Sequence, residues 1–327
     1  MTERKIGRVI SWQNLSPNLA IFRVVPDNGC RFPDYRPGQY IALGREDCRL
    51  TRKIVVDGKL HTIPDLDESG KQKVGPVTHS YSIASAPFET EQNHHLEFYL
   101  VLERDGDGHP GRLTESLFRM NLQMDGKVQY LDRVQGDFTL EKRVNGCRNV
   151  LLVGTGTGMA PFVSMIKQQH HDAAEGNGAG ARFTLIHVSR TFEELGYYEE
   201  LRSIEASGKL DFLYIPAVSR SSGRERDDGY LGAGRANNLL RKIFDMPLKE
   251  EETLECVRAE EGDESEVAAL LQKAVQPELP RRLRMEDLRD RLAPRGLVLL
   301  SCGNPYSLAD IEYVAKTNRI RFEREEW

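Results

Sequence analysis

The run Gly154-Thr-Gly-Thr-Gly-Met-Ala-Pro161 constrains this chain more than any other feature. It follows Asn149-Val-Leu-Leu-Val153, a short continuous apolar stretch of the buried-strand kind, and the residues after it read as a helix. Glycines at a strand-to-helix bend let the backbone come close to a pyrophosphate, and the helix start offers unpaired N–H groups and positive partial charge. A glycine-rich bend also serves close packing of a helix on a strand, so the run alone leaves both readings open. Its spacing is not GxGxxG.

The strand type then repeats. Phe183-Thr-Leu-Ile-His-Val188, Asp211-Phe-Leu-Tyr-Ile-Pro-Ala-Val218 and Gly296-Leu-Val-Leu-Leu300 are apolar runs, with a helix-like segment from Phe192 to Ala206 between the first two. Strands alternating with helices predict an open parallel α/β sheet. The first ~140 residues are different: short strands broken by Gly, Pro and Asp, the pattern of an antiparallel β-barrel or sandwich. Leu19–Val25, Gln39–Leu43 and Leu96–Leu102 are examples, and residues 44–77 read as a long polar loop carrying a hairpin around Lys53-Ile-Val-Val56. The chain of 327 residues is long enough for two domains, expected at 1–143 (antiparallel β-barrel) and 144–327 (parallel-sheet α/β). Residues 249–266 are strongly acidic, and the stretch from there to Arg295 reads as helical, with Leu270, Leu271, Leu283, Leu288 and Leu292 as apolar points. Residues 245–293 are expected to form a solvated surface insertion.

The net charge of −5 argues against a nucleic-acid or anionic-membrane partner recruited by bulk electrostatics. No apolar run approaches the ~18 residues of a membrane helix, and the N-terminus has no signal core, so no membrane insertion and a cytoplasmic location are expected. Cys30, Cys48, Cys147, Cys256 and Cys302 are dispersed without CxxC spacing, which predicts no metal or iron–sulfur centre and fits a reducing compartment.

Three motifs in the first half carry candidate chemistry. In His79-Ser-Tyr-Ser-Ile-Ala-Ser85, a Tyr–Ser pair can set a phenol ring against a flat aromatic ligand while a hydroxyl bonds a ring nitrogen; in isolation such a run is more often an ordinary strand. Gly111-Arg-Leu-Thr-Glu-Ser116 presents N–H groups and a hydroxyl to phosphate, or is a helix cap. Gly136-Asp-Phe138 closes the domain.

Taken in order, Arg36-Pro-Gly-Gln-Tyr40, Tyr81-Ser-Ile-Ala-Ser85, Leu96–Leu102, Gly111-Arg-Leu-Thr114, Gly136-Asp-Phe138, Gly154–Pro161 and Ser301-Cys-Gly-Asn-Pro305 resemble the ferredoxin–NADP reductases, specifically the bacterial branch. The resemblance runs from about Gly7 to Trp327, with residues 245–293 as an insertion. It implies an FAD-binding barrel, an NADP-binding α/β domain, hydride transfer between NADPH and FAD, and single-electron transfer to a separate ferredoxin or flavodoxin. It further implies that Tyr81 packs on the isoalloxazine and that Ser82 bonds near flavin N5. Phe98, Tyr99, Leu100 and Val101 would line the flavin, and Leu113 and Thr114 would hold the FAD pyrophosphate. Gly154, Thr155, Gly156, Thr157 and Gly158 would face the NADP pyrophosphate. Cys302 and Gly303 would lie beside the nicotinamide, with Ser82 and Cys302 at the reaction centre, and Trp327 would cover the FAD. Arg190, Ser219, Arg220 and Arg235, at or just beyond strand ends, would bind the 2′-phosphate that separates NADP from NAD. Two departures stand out: His79 replaces the family's phosphate-binding Arg, with Arg36 or Arg112 available to compensate, and Ser307 stands where Met is common. Two other readings are a reductase component serving an oxygenase, and a non-catalytic nucleotide-binding subunit that has lost FAD.

Overall fold

The structure is a computed structural model and describes residues 3–27, 29–178, 180–220, 223, 227–260 and 263–325. The chain forms two compact units, Met1–Thr139 and Leu140–Trp327. Among the described residues no helix is long and apolar enough to cross a membrane, and no group of three or more His, Cys, Asp or Glu is arranged to hold a metal ion.

The first unit is an antiparallel sheet in the order β6-β3-β8-β1-β2-β7. Its strands are β1 (Arg4–Ser16), β2 (Leu19–Pro26), β3 (Tyr40–Arg49), β6 (Val74–Ser82), β7 (Leu96–Val101) and β8 (Lys127–Gln135). A separate hairpin, β4 (Thr51–Val56) and β5 (Lys59–Pro64), turns at Asp57-Gly58, both at positive φ. Much of the expected 44–77 loop is therefore strand, because β3 and β6 extend into it. Alternating side chains fill the interior: Phe22 stacks on Phe98 at 5.2 Å, and Leu43, Leu100, Leu113 and Tyr130 join them.

The second unit is a six-stranded parallel sheet in the order β12-β11-β10-β9-β13-β14. Its strands are β9 (Asn149–Thr155), β10 (Arg182–Ser189), β11 (Phe212–Val218), β12 (Gly232–Ala233), β13 (Leu297–Cys302) and β14 (Arg321–Arg324). The chain steps outward from β9 through β10 and β11 to β12, then returns to the other side of β9 as β13. The order therefore reverses between β9 and β13, and ligands of open α/β sheets bind outside the carboxyl ends of strands at such a point.

The region 245–293 departs from the expected solvated insertion. Helices Lys249–Ala259 and Ser265–Lys273 do carry exposed acidic faces, and Leu270 is 53% exposed. The rest joins the core. Glu278 exchanges backbone hydrogen bonds with Ala233 beside β12, and Leu288 (2% exposed) and Leu292 lie in the same apolar cluster as Leu151 and Ile215. Arg291 donates to Thr184 Oγ1 and the Phe183 carbonyl, and Arg241, 1% exposed, is saturated by Asp310, Glu252 and the Pro247 carbonyl. A loop that shields a sheet edge and contributes leucines to the core cannot be exchanged for a linker. Leu288→Ala is expected to destabilise the protein by about 2–5 kcal/mol, against within about 0.5 kcal/mol for Leu270→Ala. Urea unfolding of both variants checks this, and equal small effects would restore the surface-loop reading.

Candidate functional site

Two loops meet at the point where the strand order of the second unit reverses. After β9 the chain enters a 3₁₀ turn, Gly156–Met159, and then the helix Ala160–Ala174 with a proline in its first turn. After β13 it passes through Cys302, Gly303 and Asn304 into the helix Pro305–Thr317, where the Asn304 side chain accepts from the Tyr306 N–H. The loops touch backbone to backbone. A Cβ on Gly158 would lie 2.4 Å from the Cys302 carbonyl oxygen and 2.6 Å from Gly303 Cα. A Cβ on Gly303, at φ +134°, would lie 2.1 Å from Thr155 Oγ1. Only glycine fits either place. Thr155 Oγ1 also accepts from the Asn304 N–H at 3.2 Å, which ties the seam together. Gly154 is different: its missing side chain makes room for Met159 and Phe162, so it serves helix-on-strand packing. Gly156, at φ +54°, has open space where a Cβ would be, and it lies with Thr155 and Thr157 on the half-buried rim.

Cys302 is buried at the end of β13, and its Sγ donates to Glu325 Oε2 at 2.9 Å. Glu325 is itself 5% exposed, and its N–H bonds the Ser301 carbonyl. Beside the seam, β10 places His187 opposite Gly154. His187 is buried and bonded through Nδ1 to the Tyr214 hydroxyl at 2.9 Å, and burial lowers its pKa to about 3. The native state therefore refuses a proton that the unfolded chain accepts below about pH 6.5. This contribution is fully present above that pH and is lost as pH falls toward 3. Lowering the pH from 7 to 5 is expected to cost about 2 kcal/mol through this one group. Urea titrations of wild type and His187→Gln at both pH values check it; an identical pH slope in the two proteins would contradict it.

The far edge of the same sheet carries the three arginines. The Ser219 and Arg220 N–H groups bond the Ser189 and Arg190 carbonyls at 2.9 Å each, and the Gly234 N–H bonds the Val218 carbonyl at 2.9 Å. The chain segments leaving β10, β11 and β12 thus run side by side, bringing Arg190, Arg220 and Arg235 to one edge. Arg190 is gripped by Glu194, and Arg235 lies 3.5 Å from Glu250, whose other oxygen accepts from Asn238. Arg220 is exposed.

In the first unit the motifs gather at one end of the barrel. The Ile83 N–H bonds the Gln39 carbonyl, the Gln39 side chain bonds the Gly136 carbonyl, and the Tyr35 hydroxyl bonds Ser85 and Thr90. Gly136, at φ +100°, lies against the Tyr40 ring. His79 and Tyr81 share one face of β6, an edge strand, while Ser82 is buried opposite Tyr40. Tyr81 is half-buried against the barrel core, and that burial pushes its hydroxyl pKa up. Burial, and then the nearby Arg112 guanidinium, lower the His79 pKa. Arg112 starts the helix Arg112–Phe118, which is docked on β3 by Leu113 and by the Arg45–Ser116 hydrogen bond of 2.7 Å. The Thr114 hydroxyl turns back to the Gly111 carbonyl at 2.9 Å.

On β7, Phe98 and Leu100 belong to the apolar core, 0% and 2% exposed, and Tyr99 (4% exposed) and Val101 alternate with them. Trp327 lies outside the described residues. Glu325 and Glu194 were missed. Both sit in charge-rich stretches, Arg321–Trp327 and Arg190–Glu200, where composition alone does not mark a buried carboxylate.

This combination of an antiparallel barrel and a parallel sheet with a glycine seam at its switch point defines a two-domain oxidoreductase with a dinucleotide-binding half. Residues 152–257 match the family pattern of the oxidoreductase NAD-binding domain. The chain is 26% identical over 255 residues to the ferredoxin–NADP reductase of Azotobacter vinelandii, covering 75% of this chain and 78% of that protein. It is 30% identical over 129 residues to a flavodoxin/ferredoxin–NADP reductase of Buchnera aphidicola, spanning 39% of this chain and 45% of that relative. A ferredoxin NADP⁺ reductase from Neisseria gonorrhoeae, solved with bound FAD and NADP, has the same fold at a TM-score of 0.59 and 16% identity, with 99% of both chains covered. The chain is thus similar in sequence to ferredoxin–NADP reductases over about three quarters of its length, and it has their two-domain fold.

Proposed function

We propose that this protein is an FAD-dependent oxidoreductase that exchanges hydride with NADPH and single electrons with a small separate carrier, a ferredoxin or flavodoxin. The glycine seam at the switch point carries the reading. Two loops that tolerate no side chain make a cradle into which a pyrophosphate can come close. Arg190, Arg220 and Arg235 along the neighbouring strand ends give the charge a 2′-phosphate needs. On the barrel, Tyr81 and His79 on an open strand edge, with Arg112 and Thr114 on the adjoining helix, fit an aromatic ring and a diphosphate. Arg112, beside His79, offers the guanidinium that the family places at position 79. The relatives named for reduction of ferredoxin or flavodoxin support the choice of carrier.

Bound FAD would supply the two-electron and one-electron chemistry. The protein's own residues orient and shield. The Ser82 hydroxyl is assigned to the reacting end of the flavin. The Cys302 thiol, bonded to Glu325 and buried with it, is assigned to the nicotinamide, where it excludes water. No side chain acts as a general base. Ser82→Ala is expected to leave FAD bound and slow flavin reduction by about 5- to 150-fold, the loss of one hydrogen bond that strengthens in the transition state. Single-turnover stopped-flow reduction by NADPH reads this, and an unchanged rate removes Ser82 from the site. Turnover with a panel of ferredoxins, flavodoxins and quinones tests the carrier; efficient reduction of quinones alone would overturn it.

A further inference from the structure

We propose that Glu194 is a positioning residue for nucleotide recognition: it locks Arg190 so that the guanidinium turns its far edge toward the 2′-phosphate. The inference rests on the NADPH reading above and concerns a residue that does not touch the nucleotide. Glu194 Oε2 accepts from Arg190 Nε at 2.9 Å and Oε1 from Nη2 at 2.7 Å, a two-point side-on fork. The burials are unequal. The Glu194 side chain is 9% exposed and the Arg190 side chain 43%. The carboxylate is the fixed partner and the guanidinium is the part that reaches solvent.

The local chain explains the arrangement. Immediately after β10 a 3₁₀ turn, Phe192–Glu194, closes with the Glu194 N–H on the Thr191 carbonyl and the Leu195 N–H on the Phe192 carbonyl. The turn brings residue 194 back beneath residue 190. A planar guanidinium held by Nε and Nη2 has its end-on edge, centred on Nη1, directed away from the carboxylate. The Arg190 carbonyl accepts from the Arg220 N–H, so the two residues leave adjacent strand ends side by side. Arginine has four rotatable side-chain torsions to immobilise on binding an anion, and the fork settles them beforehand. The same carboxylate opposes a phosphate by charge. A fork that immobilises outweighs this only if Glu194 acts through Arg190, and that condition is measurable.

The test is calorimetric binding of adenosine 2′,5′-bisphosphate and of 5′-AMP to wild type, Glu194→Ala, Arg190→Gln and the double variant. Wild type should prefer the bisphosphate. Glu194→Ala should weaken the bisphosphate by about three- to tenfold and 5′-AMP by less than about twofold. Glu194→Gln, which keeps one acceptor, should recover part of the loss. In the double variant the loss should equal that of Arg190→Gln alone, because a positioning residue has nothing left to position. Tighter bisphosphate binding by Glu194→Ala, or losses that add, would overturn the positioning role. Should Glu194→Ala not fold, Glu194→Gln alone and combined with Arg190→Gln gives the same decision. A wild type that binds both nucleotides equally would instead contradict the NADPH reading.

Discussion

Gly158→Ala should lower kcat/KM for NADPH by about 100-fold or more, while Gly156→Ala lowers it by less than about tenfold. The two glycines lie two residues apart in one loop and look equivalent in the sequence. Their surroundings differ. The added methyl at position 158 collides with backbone atoms of Cys302 and Gly303 between 2.4 and 2.6 Å away, and backbone cannot rotate out of reach. The seam must open, and the loops after β9 and β13 lose their registry. At position 156 the methyl meets nothing within 4 Å, and the cost is the left-handed conformation at φ +54°, of order 1 kcal/mol. FAD content should stay unchanged in both variants, since the seam belongs to the second unit. Steady-state kinetics with flavin absorbance recorded on the same samples decides the matter, and equal effects would mean that the seam does not hold nucleotide.

Arg220→Ala should raise the KM for NADPH by roughly tenfold to a hundredfold and barely alter that for NADH, since a charged phosphate hydrogen bond contributes ~1.5–3 kcal/mol. Arg220 is the sharpest of the three arginines to remove. Arg190 and Arg235 each have a glutamate beside them, Glu194 and Glu250, so part of their charge is already answered within the protein. Arg220 is exposed, and its backbone is anchored to Arg190. Kinetics with both nucleotides on wild type and variant check this. Equal loss for both, or a wild-type preference for NADH, would move the 2′-phosphate site elsewhere.

The parts of this molecule legible in its sequence are those where chemistry and backbone coincide. Continuous apolar runs marked β9, β10, β11 and β13, because a strand buried on both faces has no polar alternation to disguise it. The glycine run marked the switch point. Strands β1 and β8 escaped because their mixed burial patterns have no clean period. That Phe98 and Leu100 point into the core was not legible, because an alternating strand does not announce which face is interior until its neighbours are known. The insertion was read from its acidic half, whereas its packing is decided by Leu288, Leu292 and the arginines that reach back to strand carbonyls far away in sequence. Glu325 is a candidate because Ser301 and Cys302 meet it from another strand, and Glu194 because the turn after β10 sets it on Arg190.

The most direct test of the central claim is the visible spectrum of the purified protein, recorded anaerobically before and after one equivalent of NADPH. A flavin band near ~450 nm that bleaches on addition and returns with an oxidised carrier is the predicted result. A protein that carries no flavin after reconstitution with FAD, or one whose flavin band is untouched by NADPH and NADH alike, would contradict it.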